Sequence, residues 1–461
     1  MTVKKDLFEK KSVLNAVLTL ALPSVMGQII LVIYNMADTL FVGLTGSDAM
    51  ITSVTVCMPA FMFLSAISNL FGVGGASVIS RAMGQRDEEK TRCTSAFAVW
   101  GCVGITCIYS LFVLLFMDKF VDMLGGSAES VHSNAIDYML VAVVLGGLPT
   151  AVNTLFSHLI RSFGYSVQAS IGIVLGGVFN IALDPLFMFV ILPAGQEAKG
   201  AAMATALSNV IALIYYIIIM LIYRRRLTIS AKPSKAMFCD SIPRDVFVVG
   251  IPACLMTLCE NISYAILDNL MAAAGTAAQA GIGVAKKVNM LAHSFVRGMA
   301  QGVLPLIGYN YASGNRKRMK SVILVSGAIS ISLALLCMAA CLGFSRQLIG
   351  IFIQTEGQSL FYGAKFLKIL CIGAPFSSAA YTVISFFQAT GRGGKSLILA
   401  LLRKGILDIP LMFILNLVYP TFGIVWATPI ADTLCCAAAL ILFFIFLRRH
   451  GKNKGKFKAA A

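Results

Sequence analysis

Two aspartates lie in the middle of long apolar stretches, Asp38 in IYNMADTLFVG and Asp184 in FNIALDPLFMF. An ionised carboxylate at the centre of a bilayer costs about 3 kcal/mol even on insertion scales, and such residues mark functional sites in membrane helices. Because a carboxylate attracts positive charge, the two aspartates predict a place where a proton or a small cation is bound.

The neighbours of Asp184 support this prediction. Asn180 lies four residues earlier and therefore on the same helix face. Pro185 follows, and because it has no N–H it leaves the carbonyl of Ile181 without its helical partner. A carboxylate, an amide oxygen and a freed carbonyl form an oxygen-lined site that suits a monovalent cation or a titrating proton. In the alternative reading, Asp184 bonds to a neighbouring helix and only stabilises a bend.

Asp38 has polar neighbours of the same kind. Tyr34 and Asn35 stand one turn earlier, so the first helix carries a polar stripe on an otherwise apolar surface. We expect both residues to be accessory to the site at Asp38.

A third acid, Glu260, lies in PACLMTLCENISYAILD, eight residues after Pro252. It either contacts a bound substrate or neutralises Lys286, Lys287 or Arg297 on the next helix, and both readings stay open. We interpret Asp268 and Asp408 as structural, with Asp408 paired to Arg403 or Lys404.

Composition indicates which elements position these groups. The chain has 461 residues, of which 58% are hydrophobic and 12% charged, and its mean hydropathy is +0.85. Apolar windows of ~20 residues recur along it, the length of a membrane-spanning helix. We predict an all-α polytopic membrane protein whose twelve transmembrane helices cover residues 14–36, 51–79, 94–116, 133–156, 167–191, 201–222, 246–273, 279–308, 321–343, 360–387, 396–417 and 424–447.

Positive charge predicts the orientation. With both termini on one side, the loops of that side and the position of Arg161 hold 27 of the 37 Lys and Arg, whereas the opposite loops hold three, Lys119, Lys199 and Arg346. By the positive-inside rule both termini are cytoplasmic. The first apolar run follows a basic head but lacks a small-residue cleavage site, so we predict a retained helix. The net charge of +17 therefore indicates contact with the lipid bilayer and no nucleic-acid partner.

Several classes of activity lack their residues. The twelve cysteines form no paired C-x-x-C motif, and with four scattered histidines we predict no zinc site and no bound cofactor. No G-x-x-x-x-G-K loop is present, so ATP hydrolysis in this chain is not the energy source. We predict that the chain is not an enzyme.

The two halves of the chain repeat one another. Pro149 matches Pro375, Gly164 matches Gly391, and Pro185 matches Pro410 at offsets of 225 to 227 residues. Six helices per half is an even number, so the two repeats are parallel. We predict an N-terminal lobe at 1–223, a cytoplasmic basic linker at 224–245, a C-terminal lobe at 246–447 and a basic cytoplasmic tail at 448–461, with a central cleft between the lobes.

Several stretches resemble one known family. The runs MADTLFVGLTGSDA, GVGGASVISRAMGQRDEEK, IRSFG and NIALDPLFMF are similar to motifs of the multidrug and toxic compound extrusion family, and matching positions cover essentially the whole chain in both halves. The resemblance is to the bacterial drug-efflux branch. It implies a twelve-helix antiporter of the cytoplasmic membrane that expels organic cations against an inward flow of protons or sodium ions.

The resemblance also implies roles for individual residues. It places the coupling site for H⁺ or Na⁺ at Asp38, Asn180, Asp184 and Thr205, and it makes Pro23 a bend-prone proline of the first helix, with Pro185 and Pro252 as further expected kinks. Glu260 matches an acid of many relatives. Some branches pair that acid with a second one in the tenth helix, where this chain reads IGAPFSSAAYTVISFFQATG and has no carboxylate.

The predicted function is therefore export of small organic cations by alternating access, coupled to H⁺ or Na⁺. The alternative is a flippase for a polyprenyl-linked saccharide of the same superfamily. A flippase must attract a diphosphate, but the spans before residue 161 offer acids and almost no base inside the membrane. A channel or sensor is a third reading that no residue supports. We expect a monomer, without a specific motif behind that expectation.

Overall fold

The computed structural model describes residues 5–239, 241–353 and 357–458, which are helical with no strand among them. Twelve spans, numbered here in chain order, confirm the predicted architecture. Their bounds are Val13–Leu44, Asp48–Gln85, Glu88–Leu115, 129–162, Ser166–Ile191, Glu197–Ile222, Ile242–Ala273, Thr276–Ala312, Arg316–Gly350, 358–389, 393–418 and Phe422–Lys458. Short helices Lys5–Glu9, Met117–Met123 and Lys235–Phe238 lie outside the spans.

Eight of the described helices are long and apolar enough to cross a membrane, and counting each of two bent pairs as one span raises this number to ten. The bent pairs are spans 4 and 10, whose halves meet at angles of 46° and 42°. The other two, spans 8 and 11, each carry several charged residues, among them Lys286, Lys287, Arg403 and Lys404.

Helix breaks lie partly where prolines predict them and partly elsewhere. The helices that contain Pro23 and Pro252 continue through those residues, so these prolines do not break their spans. A π-helical segment, Phe187–Ile191, begins two residues after Pro185. Such segments are frequent at functional sites. The breaks in the middle of spans 4 and 10 lie at Gly146 and Gly373, three and two residues before Pro149 and Pro375.

Matched glycines support the duplication of the chain. Gly164 and Gly391 end spans 4 and 10 with φ of 85° and 73°, and Gly46 and Gly275 precede spans 2 and 8 with φ of 65° and 116°. A positive φ favours glycine because it has no Cβ. We call spans 1–6 the N-lobe and spans 7–12 the C-lobe; the exact limits of the predicted lobes and linker stay a prediction.

Several of the predicted cytoplasmic segments lie together at one end of the molecule. Tyr309 donates to Glu9 at 2.6 Å, and the Arg318 side chain donates to the Phe8 carbonyl at 2.7 Å. Trp100 donates to the carbonyl of Ala231 in the linker at 2.8 Å. We call this the basic end. Residues 1–4 and 459–461, parts of the predicted basic head and tail, lie outside the described residues, and the last helix extends past its predicted end at 447 to Lys458.

The lobes contact each other closely in the half of the membrane nearest the basic end. The Ser77 hydroxyl donates to the carbonyl of Gln388 at 2.5 Å, and Lys90 forms an ion pair with Asp245 at 3.3 Å. Spans 2 and 7 touch through backbone, because a Cβ on Gly250 would lie 2.0 Å from the carbonyl oxygen of Leu70. This seam closes the basic end of the molecule.

We expect Gly250→Ala to weaken the seam between the lobes. The new methyl group meets backbone that cannot rotate away, and overpacking of this kind costs about 1–3 kcal/mol. The apparent melting temperature of the purified protein should fall by several degrees. Gly104→Ala is the matched control, because nothing lies within 4 Å of a Cβ there. An equal melting temperature for both variants would contradict the close contact.

Candidate functional site

Spans 1, 5 and 6 bring together the four residues that the sequence predicts as a cation site. Asn180 donates to the carboxylate of Asp184 at 3.3 Å and to the hydroxyl of Thr205 at 3.3 Å. Asp38 on span 1 acts electrostatically on Asp184, and all four side chains are at least nine-tenths buried. We call these four residues the N-lobe cluster.

The N-lobe cluster has oxygens in excess of donors. Asp38 Oδ1, Asn180 Oδ1 and Asp184 Oδ2 are buried and have no hydrogen-bond partner among the described residues. Buried polar groups are normally paired, and an unpaired buried carboxylate is especially costly. A proton would neutralise one of the two carboxylates, and a hard cation would find oxygen ligands here, so the chemistry of the cluster suits either ligand. That the cluster binds one stays a prediction.

Close helix packing positions the cluster. A Cβ on Gly172 would lie 2.2 Å from the ring of Tyr216, whose hydroxyl donates to the carbonyl of Ala169 at 2.6 Å, so spans 5 and 6 are held tightly. A Cβ on Gly177 would lie 3.2 Å from Tyr34, which brings span 1 close to span 5 next to the cluster. Substituents at these glycines would move the three spans apart.

The C-lobe carries a counterpart of the cluster, which the sequence analysis did not identify. Lys404 and Asp408 on span 11 repeat the four-residue spacing of Asn180 and Asp184, and Thr428 on span 12 occupies the place of Thr205. Lys404 donates to Asp408 at 2.7 Å, and Thr428 donates to the other oxygen of that carboxylate at 2.9 Å. We call these three residues the C-lobe cluster.

The two clusters differ in how the acid is neutralised. In the C-lobe cluster an ammonium group tethered to the chain lies against the carboxylate, and Ser263 donates to it as well at 2.6 Å. In the N-lobe cluster the position of Lys404 holds the neutral Asn180. The C-lobe cluster therefore carries a permanent cation, the ammonium group of Lys404. The N-lobe cluster has no cation among its four residues.

A cavity of about 340 Å³ lies between the lobes and is lined by spans 1, 2, 4, 5, 6, 7, 8 and 10. Tyr34, Asn35 and Thr205 line it, whereas Asp38, Asn180 and Asp184 do not. The cluster thus lies behind the cavity wall. Tyr34 and Asn35, predicted as accessory residues, stand between the cavity and the acids.

The described acids of the C-lobe are paired with bases. Glu260 lines the cavity and forms an ion pair with Arg297, so the salt-bridge reading of this residue has a partner in the structure. Asp268 pairs with Lys286 at 2.5 Å. Asp408 pairs with Lys404, one of its two predicted partners, at 2.7 Å. Arg403, the other predicted partner, instead bonds Asp432 at 2.6 Å, because span 12 brings that acid against it.

The sequence places Arg161 with the loop residues of the cytoplasmic side, and the structure contradicts this. Arg161 lies in the last turn of span 4, is 1% exposed and lines the cavity. The N-terminal helix covers the turn that follows, since a Cβ on Gly164 would lie 2.9 Å from the ring of Phe8. The N-lobe therefore has a buried base directly after the spans for which the sequence predicted almost none.

Other residues at the site were also missed. His158 stands one turn before Arg161 and lines the cavity, and Gln28 and Gln301 bridge the lobes at 3.3 Å. Tyr138 on span 4 is buried within electrostatic reach of Asp38 and Asp184. A polar residue in an apolar run was the available signal for each of them, but that signal does not say which residues face one another.

Comparisons with known proteins agree with this architecture. The family model described as MatE matches residues 23–186 and 252–414, once in each half of the chain. A protein named multidrug export protein MepA from Staphylococcus saprophyticus subsp. saprophyticus is 29% identical over 452 residues, covering 97% of each chain. A protein of the same name from Staphylococcus aureus (strain MRSA252) is 30% identical over 451 residues, covering 96% of each.

Solved structures share the fold. A crystal structure described as MATE in complex with MaL6 has a TM-score of 0.89 at 24% identity, covering 98% of this chain and 100% of that one. A structure described as the outward-facing conformation of a multidrug resistance MATE family transporter of the MOP superfamily has a TM-score of 0.87 at 23% identity, covering 98% of this chain and 99% of that one. The predicted two-lobe, twelve-span fold is confirmed.

Proposed function

This chain belongs to the MatE family of membrane transporters, and from that premise we propose that it exports organic cations in exchange for protons or sodium ions. The relatives named above are export proteins, so the prediction that the chain is not an enzyme is confirmed. The observation that carries the proposal is the N-lobe cluster, whose Asp38, Asn180 and Asp184 present buried oxygens without partners.

The contrast between the lobes supports coupling at this site. Asp408 in the C-lobe is neutralised by Lys404, which cannot leave, so that cluster cannot exchange its cation during transport. Asp184 in the corresponding place has no tethered base and can take and release one. Ion exchange is therefore confined to the N-lobe.

Alternating access would couple ion exchange at the N-lobe cluster to export of the organic cation. The seam at the basic end closes one side of the cavity, as in a transporter that faces the opposite side of the membrane. A cation that binds the N-lobe cluster can change this equilibrium only by binding the two conformations with different affinity. Movement of span 1, which carries Asp38 and runs from the cluster to the seam beside span 8, would supply that difference.

The proposed setting is the cytoplasmic membrane, with both termini cytoplasmic. Basic residues concentrate in the segments that gather at the basic end, as the positive-inside rule requires of a cytoplasmic face. In this orientation the closed seam lies on the cytoplasmic side. We propose that a monomer is sufficient, because the cavity and both clusters are built from one chain, and that no cofactor other than the coupling ion takes part.

A flippase for a polyprenyl-linked saccharide is the second candidate. One observation favours it: Arg161 is a buried base in the cavity wall, as recognition of a diphosphate requires. Against it, the other arginine lining the described cavity, Arg297, already pairs with Glu260. A single available base favours a cargo with less negative charge than a diphosphate.

Export by purified protein in liposomes tests the proposal. Vesicles preloaded with ethidium should release it when an opposing sodium or proton gradient is imposed, and release should slow several-fold when that gradient is collapsed. The ion whose gradient drives release is the coupling ion. Absence of release across a panel of organic cations, with translocation of a polyprenyl diphosphate sugar by the same vesicles, would replace this function by the second candidate.

A further inference from the structure

Arg161 has binding capacity that the fold does not use. Its Nη1 donates to the side-chain oxygen of Gln301 at 3.4 Å, while Nε and Nη2 are buried and have no partner among the described residues. A guanidinium group cannot give up its charge, so burial without an acceptor is costly. The side chain is 1% exposed and lines the cavity.

The surroundings of Arg161 are built for a negatively charged group. Gln28 donates to the same oxygen of Gln301 at 3.3 Å, so this oxygen receives two donors from the N-lobe. His158 lines the cavity one turn away. Among the described residues that line the cavity, Glu260 is the one carboxylate, and it pairs with Arg297. With neutral histidines, the cavity lining has one positive charge in excess.

We propose that Arg161, with Gln28, His158 and Gln301, forms an anion subsite that binds a carboxylate group of the exported molecule. The planar guanidinium has two N–H groups free for the two oxygens of a carboxylate, which is the geometry in which arginine binds that group most strongly. This inference rests on the proposed function, because it assigns one end of the cargo within the same cavity. It predicts that zwitterions carrying a carboxylate and a delocalised cation bind better than the corresponding esters.

Tetramethylrhodamine and its methyl ester form a matched pair of probes. Both carry the same cationic dye, and only the free acid carries a carboxylate at neutral pH. Binding of each to purified protein in nanodiscs is measured by fluorescence polarisation. Arg161→Gln should weaken binding of the free acid roughly tenfold or more, as expected for loss of a charge-assisted hydrogen bond, and should change binding of the ester less than about twofold.

Control variants separate this role from a structural one. Arg346→Gln removes an exposed arginine outside the cavity and should leave both affinities unchanged. Arg161→Lys keeps the charge but removes the forked guanidinium group, so it should weaken binding of the free acid several-fold. If Arg161→Gln is not recovered as a monodisperse protein, Arg161→Lys takes its place in the comparison of the two dyes.

The outcomes are distinct for the two proposals. Failure of wild type to bind or export the ester would overturn the proposed function. Normal binding of the ester, with equal effects of the Arg161 variants on both dyes, would leave the function standing and overturn the anion subsite, reducing Arg161 to a bridge between the lobes.

Discussion

Asp184→Asn should abolish ion-driven export while the protein remains folded. Asparagine has nearly the same shape and can still bond Asn180, but it cannot carry the charge that holds a proton or a cation. Gradient-driven release of ethidium from liposomes should fall at least about tenfold, to the rate seen with ethidium-loaded vesicles that contain no protein. Asp38→Asn should have the same effect, because Asp38 and Asp184 act on one site.

The control for this prediction is Asp137→Asn. Asp137 is also on a membrane span, but it is partly exposed and pairs with Lys199 at 3.6 Å, away from the N-lobe cluster. Its loss should leave export unchanged. Full export by both Asp184→Asn and Asp38→Asn would show that the two acids only hold the helices together.

Asn180→Lys should lock the transporter by giving the N-lobe the tethered cation that the C-lobe already has. The lysine would stand four residues before Asp184, as Lys404 stands before Asp408, and should form the same ion pair. A permanent internal cation removes Asp184 from exchange and leaves Asp38 as the single unpaired carboxylate of the cluster. We expect loss of gradient-driven export together with loss of any effect of sodium or pH on the melting temperature.

Asn180→Met is the matched variant for that experiment. Methionine has nearly the volume of lysine and removes the same amide, but it supplies no charge. It should weaken coupling while keeping a response of the melting temperature to the ion. If Asn180→Lys exported ethidium at the wild-type rate under an imposed gradient, the correspondence between the two clusters would have no functional meaning.

The sequence predicted the spans well because each needs only a long apolar run, a property of local composition. It predicted the contact of Asn180 with Asp184 for a similar reason, since residues four apart share a helix face. The breaks of spans 4 and 10 at Gly146 and Gly373 were not predicted. Pro149 and Pro375 follow the breaks by three and two residues, but in the sequence these prolines were used only as landmarks of the repeat.

Long-range packing accounts for the remaining differences. Phe8, more than 150 residues away in sequence, covers the turn at Gly164 that follows Arg161. The C-lobe cluster was hidden by one residue: Pro185 directly follows Asp184, whereas Ile409 separates Asp408 from Pro410. An alignment made on the prolines therefore misses the match of the two acids.

The most direct test of the account is binding of the coupling ion to purified protein. Sodium binding by calorimetry and proton release by an indicator dye are measured on wild type, Asp184→Asn and Glu260→Gln. The account predicts about one exchangeable cation for wild type, none for Asp184→Asn, and an unchanged value for Glu260→Gln, because Arg297 already neutralises that acid. Binding that persists in Asp184→Asn and disappears in Glu260→Gln would place the coupling site in the C-lobe and contradict it.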